Sequence, residues 1–368
     1  MSDLLYVSYE ILKHIPEQMA NSLRFNYNVD MEFSSGNKCF SNARYGTDYC
    51  PWDIKNDSVI MPLPLLSSSF DRSFADITDE RAIDILNSAK SQNKRIGVYW
   101  SGGIDSTVMV AAFLKNLNSD DLELVDVFLN QYSLIESPRF FTEFIKGKIN
   151  YKIANNIGLT DDLLRTHILV DGEPMDKLWM GMMGITFAGL HGYESLSRPF
   201  VENTDDILNF MHQTIAHDDA CRWFEIVESS ISENSDLVIT TADCLTWMNF
   251  FHITGKVYDR LIYDDIDFDN FKNSYCPWYK SSEYQQWAWG SSRDEKNLIS
   301  SLTEYKMIPK EYIFDLTKDE YSLHFKIKMA SVMRGTRREV RNLMILSDGT
   351  YVTKDDPNLL NYAEKYLK

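Results

Sequence analysis

Six consecutive residues, Ser101-Gly102-Gly103-Ile104-Asp105-Ser106, have the make-up of an anion cradle. Two glycines let the backbone close on a ligand, and the amides and positive dipole end of a following helix point at the same spot. Ser101 and Ser106 add hydroxyl donors, while the Asp105 carboxylate repels phosphate unless a divalent cation lies between them. Phosphate together with Mg²⁺ is the self-consistent occupant, weighed against a plain tight turn between a strand and a helix. A second cluster is Asp171, Glu173 and Asp176. Carboxylates three residues apart at a strand end can face one cavity with separate roles; the bland alternative is a set of surface acids at a helix start.

Other charged groupings carry less. Arg334, Arg337, Arg338 and Arg341 could fork onto pyrophosphate or an acidic substrate, but a helix face paired with nearby acids is favoured. The run Tyr263-Asp264-Asp265-Ile266-Asp267-Phe268-Asp269 is not a calcium loop, because Asn270 and Cys276 stand where Gly and Glu would be needed. His217-Asp218-Asp219 are neighbours that would point in different directions on a helix, so no role is given to them.

The elements that must position these residues follow from hydrophobic pattern. A strand is expected from Ile96 to Trp100, then the glycine turn, then a helix with Val110, Ala111, Leu114 and Leu117 on one face, then a strand from Leu122 to Leu129. Strand, glycine turn, helix and strand make a βαβ unit. A third strand, His167 to Val170, delivers Asp171 to its end, and mainly helical text follows a Met- and Gly-rich stretch, up to about Phe251. Upstream, Thr78-Asp79-Glu80 reads as the start of a helix running to Lys90, and Pro16, Pro51, Pro62 and Pro64 interrupt the irregular segment before it. The expected organisation is an N-terminal elaboration or small irregular domain over 1–77, a main domain over 78–332 and a tail over 333–368.

At two motifs the chain is similar to a known family. Ser101 to Ser106 resembles the PP-loop signature of the N-type ATP pyrophosphatases, the group of asparagine synthetase, β-lactam synthetase, GMP synthetase and NAD synthetase, which split ATP into AMP and pyrophosphate. Ile168-Leu169-Val170-Asp171-Gly172-Glu173-Pro174-Met175-Asp176-Lys177-Leu178-Trp179-Met180-Gly181 resembles the asparagine-synthetase pattern in particular. Gly172, Glu173, Asp176, Leu178 and Gly181 match; Asp171, Pro174 and Lys177 depart from it. Looser likeness to stand-alone asparagine-synthetase-like proteins, a type common in bacteriophage genomes, extends over about 80–332. It includes Leu245 to Phe251 and Tyr284 to Ala288, both read as core helices before pocket walls.

The resemblance implies an α/β, Rossmann-like PP-loop fold (adenine nucleotide alpha hydrolase-like). Its parallel sheet, of about five strands, would carry ATP across the strand ends, with a helical C-terminal part closing over them. It implies that Asp105 and Asp176 hold Mg²⁺, that Glu173 orients or deprotonates the attacking amine, and that Lys328 or Lys326 stabilises charge growing on phosphate. Ser101, Gly102, Gly103, Asp105, Ser106, Leu129 and Gly172 would line the ATP site. The implied activity is AMP-forming ligation of a small-molecule carboxylate to an amine. Residue 2 is Ser2, not the cysteine nucleophile of a glutaminase, and the earliest cysteine is Cys39. The amine is therefore expected from free ammonia, from a separate ammonia-supplying subunit, or from the substrate itself. A PP-loop enzyme that modifies nucleotides or tRNA, and a catalytically inactive nucleotide-binding protein, stand as the alternatives.

Composition narrows the classes further. With 368 residues, 44% of them hydrophobic and 25% charged, the chain can bury a sizeable core, which excludes disorder, collagen and a disulfide-stapled miniprotein. Its 37 basic and 54 acidic residues leave a net charge of -17, which disfavours nucleic acid as a partner. The five cysteines form no Cys-x-x-Cys pair and read as free thiols. With no long apolar stretch and no basic-then-apolar start, no membrane partner and a cytoplasmic location are expected.

Overall fold

Runs of apolar, largely β-branched residues flanked by helices favour a parallel sheet, and a parallel sheet is found. In a computed structural model of the chain, four strands pair in parallel: β1 (Arg95–Tyr99), β2 (Val125–Leu129), β3 (Asn150–Ile153) and β4 (His167–Val170). Their order is β3-β2-β1-β4. The structure describes residues 4–7, 15–16, 18–19, 31–33, 38–40, 64–153, 160–212, 217–234, 236–252, 268–324, 343–346, 351–353 and 356–365.

In register, Ile96 lies beside Val125 and Ile168, and Val98 beside Val127 and Val170, so the carboxyl ends of β2, β1 and β4 lie side by side. From β1 the chain winds outward to β2 and β3, then returns to place β4 on the other side of β1. A crevice at such a reversal, outside the carboxyl ends of the strands, is where ligands bind in open α/β sheets. Both sequence motifs leave strands that border it. About five strands were expected; among the described residues there are four. The next position beyond β4 is taken by a single parallel bridge from Tyr275 to Leu169, extended by Cys276 N–H to Leu169 O (2.8 Å) and Trp278 N–H to Asp171 O (3.0 Å).

Helix α1 (Phe74–Ser91) packs on β1, β4 and α2 (Ile104–Asn116), and α2 also meets a late helix, α5 (Met307–Thr317). Val108, Met109, Val110, Ala111, Ala112 and Phe113 are all fully buried, so α2 is a core helix. Two short helices complete the part that concerns the site, α3 (Gln131–Glu136) and α4 (Ser282–Trp289). Tyr284, Gln285, Trp287 and Ala288 of α4 are buried, as the core reading of that block requires.

Boundaries moved in two places for identifiable reasons. Helix α1 begins a turn earlier than the Thr78 start, because Ser73 caps it by accepting from Asp76 N–H at 3.0 Å, while Thr78 lies buried inside the helix with its hydroxyl on Phe74 O. The strand expected from Leu122 starts at Val125. Asn118 caps a short helical turn, Ser119–Leu122, by accepting from Asp121 N–H at 2.9 Å, and this turn takes the first residues out of the sheet.

The chain divides into two compact units that are interleaved in sequence, one of residues 64–179 and 265–337, the other of 1–63, 180–264 and 338–368. All elements named so far belong to the first. In the second, Leu4–Val7, Leu343–Leu346 and Tyr351–Thr353 form an antiparallel sheet with Leu343–Leu346 in the middle. The same unit also contains helices Gly181–His191, Thr204–His212, His217–Asn234, Thr241–Trp247 and Leu359–Lys365, and an antiparallel strand pair, Met31–Phe33 with Lys38–Phe40. Leu245 and Phe250 are buried within this unit, where Trp247 Nε1 donates to Ser230 Oγ at 2.9 Å. Cys244 and Cys276 are free thiols. Among the described residues no helix is long and apolar enough to cross a membrane.

Candidate functional site

The glycine turn leaves β1 at Trp100, whose buried indole N–H donates to Thr107 Oγ1 at 3.1 Å and ties strand to helix. Gly102 adopts φ +82°, the left-handed region that favours glycine, and a Cβ there would stand 2.7 Å from Ser133 O. Ser133 is held in turn: Asn130, buried at the head of α3, accepts from Tyr132 N–H and Ser133 N–H, and Ser133 Oγ donates to Trp100 O at 2.9 Å. The end of β2, with Leu129 fully buried, thus braces the turn. Helix α2 begins at this turn with Gly103 as its N-cap, and no side chain among the described residues caps it.

The two serines do more than donate outward. Ser101 Oγ and Ser106 Oγ lie 3.0 Å apart, Ser106 Oγ accepts from Ser101 N–H at 3.0 Å, and Ser101 Oγ accepts from Gly103 N–H at 3.3 Å. The hydroxyls therefore close the turn on itself and set its shape. Sequence reasoning missed Glu136, whose buried side chain lies over the same glycines; its Oε1 would stand 3.2 Å from a Cβ at Gly103.

The second motif leaves β4 at Asp171, which is buried and accepts from Tyr275 Oη and from Glu173 N–H at 3.2 Å. Its departure from the family pattern thus has a local role, since the carboxylate anchors the backbone of the turn that carries Glu173. The Glu173–Pro174 peptide is cis. Gly172 is required by a close approach: a Cβ there would lie 3.1 Å from Asp105 Cβ and 3.2 Å from Ser106 N. The two motifs, far apart in sequence, touch at this glycine. Tyr279 Oη donates to Asp105 O at 3.0 Å and fixes the first turn of α2 from outside, and burial pushes that phenol well above its usual range.

Where the motifs meet, Asp105 and Asp176 converge on one cation. Lys306 Nζ donates to Asp105 Oδ1 at 2.6 Å and also to Asp176 Oδ1. The lysine side chain is 5% exposed, against 24% for Asp105 and 42% for Asp176, so the ammonium is enclosed while the carboxylates reach solvent. The rings of Trp179 and Tyr305 flank it, with centroids 5.9 and 5.8 Å from Nζ. Burial alone would lower the lysine pKa, but the Asp105 and Asp176 carboxylates overcome it and hold the ammonium well above its usual range. Lys306 directly precedes α5 in a left-handed conformation, φ 58° and ψ 38°, which a non-glycine residue seldom adopts. One turn along α5, buried Lys310 donates to Thr303 O at 2.6 Å, and burial and then the Lys306 charge lower its pKa.

Lys306 was not among the sequence candidates. Lys326 and Lys328, expected to carry the positive charge, lie outside the described residues, as do Arg334, Arg337, Arg338, Arg341 and residues 263–267 of the acidic run. Among the described residues no group of three or more His, Cys, Asp and Glu side chains is arranged to hold a metal. The Asp105–Asp176 pair nevertheless fits a hard divalent cation of the Mg²⁺ kind, which is commonly held by one or two carboxylates with phosphate oxygens and water completing the shell. The convergence of both carboxylates on one ammonium is the observation behind that fit. No family model matches this chain, and no curated protein or solved structure shows significant similarity to it.

Proposed function

We propose that this protein is an ATP-dependent, AMP-forming carbon–nitrogen ligase of the PP-loop, asparagine-synthetase-like kind, acting on a small-molecule carboxylate and on ammonia or an amine. The observation that carries the reading is the meeting of two motif turns at the reversal point of a parallel sheet, with Asp105 and Asp176 sharing one cation.

In this reading the Ser101–Ser106 turn and the start of α2 bind the phosphates through backbone amides, with Gly102 and Gly103 allowing their approach. Leu129, the last residue of β2, and Gly172, two residues past β4, lie at the same carboxyl end of the sheet. Asp105 and Asp176 would hold Mg²⁺, which would supply neutralising charge for the pyrophosphate leaving group. The substrate carboxylate attacks the α-phosphorus, pyrophosphate departs, and an amine displaces AMP from the acyl-adenylate. Glu173, on a backbone anchored by Asp171, accepts a proton from the attacking amine. Lys306, which stands on Asp105 and Asp176, would supply positive charge to the reacting phosphates, where a cation stabilises developing negative charge.

The test is ATP–pyrophosphate exchange across a panel of carboxylic acids, because only an acid that forms an adenylate drives the exchange. AMP and pyrophosphate are the expected products; ADP and phosphate as sole products overturn the reading. Nucleotide binding without exchange for any acid would point to the inactive nucleotide-binding alternative.

A further inference from the structure

The ammonium of Lys306 stands at the point that a cation shared by Asp105 and Asp176 would have to occupy. Two cations cannot share that point, because at contact distance the repulsion between an ammonium and a divalent ion is large even in a well-screened site. The lysine is also well held: its side chain is 5% exposed, two rings enclose its ammonium, and its backbone is left-handed. The carboxylates by contrast are open to solvent on their other sides, at 24% and 42% exposure, so a metal ion could reach them if the lysine did not compete.

We propose that Lys306 is a built-in counter-ion that excludes divalent metal from the Asp105–Asp176 pair until nucleotide arrives. The inference rests on the ligase reading for the nucleotide, and deepens it by stating an order of loading. Free metal meets a carboxylate pair already neutralised in part, and gains little by displacing a buried lysine whose ion pairs among the described residues are with these two carboxylates. Metal-bound nucleotide brings phosphate oxygens that can receive the ammonium, so the lysine moves from carboxylate to phosphate as the metal takes its place. Metal and nucleotide therefore load together, and metal alone does not. The left-handed residue at the head of α5 is where the chain would absorb that shift.

The test is the affinity of Mn²⁺ for the full chain without nucleotide, read by electron paramagnetic resonance of the free ion. Lys306→Met and Lys306→Gln remove the charge and are expected to bind Mn²⁺ about tenfold or more tightly than the parent chain. Lys306→Arg keeps the charge and is expected to bind it as weakly as the parent. Adding Asp176→Asn to Lys306→Met should abolish the gain, which places the ion on this pair. Equal or weaker Mn²⁺ binding by both neutral variants overturns the proposal. Should those variants fold poorly, the parent chain decides: millimolar Mg²⁺ alone is expected to leave its Tm unchanged, and a clear rise overturns the proposal. The exchange assay reads the ligase function separately. Exchange by the parent chain with unaltered Mn²⁺ affinity in the neutral variants removes the counter-ion role and leaves the ligase, whereas tighter Mn²⁺ binding in the neutral variants of a parent chain that itself shows no exchange removes the ligase and leaves the counter-ion role.

Discussion

Asp105 lies in the first turn of α2 with its carboxylate on Lys306, so replacing it takes away half of a shared cation site. Asp105→Asn is expected to lower ATP–pyrophosphate exchange by about 100-fold or more, the scale of losing one electrostatic contact to the transition state. Exchange at the parent rate would remove Asp105 from the metal site. In the proposed reaction Glu173 serves the other half. Glu173→Gln keeps size and hydrogen bonding but loses the base, so amide product should fall while exchange persists; an equal drop in both would assign Glu173 to the phosphates along with Asp176. These residues were legible in the sequence because each group of them is contiguous, and chemistry written in five or six neighbouring residues survives without knowledge of the fold. Lys306 was not legible. It reaches Asp176 across 130 positions of sequence, and a lysine after an aromatic residue has no local pattern that distinguishes it from a solvated one. Its burial, its two carboxylates and its left-handed backbone are all consequences of how α5 is placed.

Helix α5 begins directly after Lys306, so whatever holds α5 also holds the cation. The principal tie is Asp79 of α1, which accepts from Tyr312 Oη of α5 and, at 2.8 Å each, from Lys115 Nζ and Asn116 Nδ2 of α2. Three helices meet at one carboxylate, and burial pushes the Tyr312 phenol well above its usual range. Asp79→Ala leaves that hydroxyl without its acceptor, and the expected loss of stability is about 2 kcal/mol, on the scale of hydrogen bonds to a charged group. A urea titration should show a lower midpoint with an unchanged slope; an unchanged midpoint would show that α5 is held by apolar packing alone. Element reading from sequence worked best where packing and local signal agree. The apolar run of β1 followed by Gly102-Gly103 and the buried α2 is such a place. It failed at β3, where Tyr151 and Ile153 are exposed at 39% and 51%; an edge strand with little to bury carries little hydrophobic pattern, and only its pairing with β2 defines it.

At the scale of the whole sheet, the proposed chemistry and a stabilising carboxylate sit at opposite ends. The motif turns leave the carboxyl ends of β1 and β4, whereas Arg95, Asp126 and His167 meet near the amino ends of β1, β2 and β4. Arg95 grips Asp126 with two guanidinium nitrogens, Nη2 to Oδ1 at 2.7 Å and Nε to Oδ2 at 2.5 Å, and His167 Nε2 lies 3.1 Å from Oδ2. One carboxylate thereby ties three adjacent strands. Burial opposes its ionisation, but the hydrogen bonds from His167 and Arg95 outweigh burial and hold the Asp126 carboxyl down at about 2. A carboxyl whose pKa is depressed on folding contributes stability that is present above its unfolded value and is lost as pH falls through its folded value. The depression corresponds to about 2 kcal/mol at neutral pH, drained between about pH 4 and pH 2. Asp126→Asn is therefore expected to be less stable than the parent by about that amount at neutral pH. The gap should close by about pH 2, with urea melts at several pH values as the measurement, and a gap of constant size would assign the effect to side-chain packing. Because the cluster lies at the far end of the strands from Asp105 and Asp176, the same variant should keep the parent rate of pyrophosphate exchange per folded molecule. A loss of exchange without a loss of stability would mean that the amino end of the sheet takes part in the chemistry.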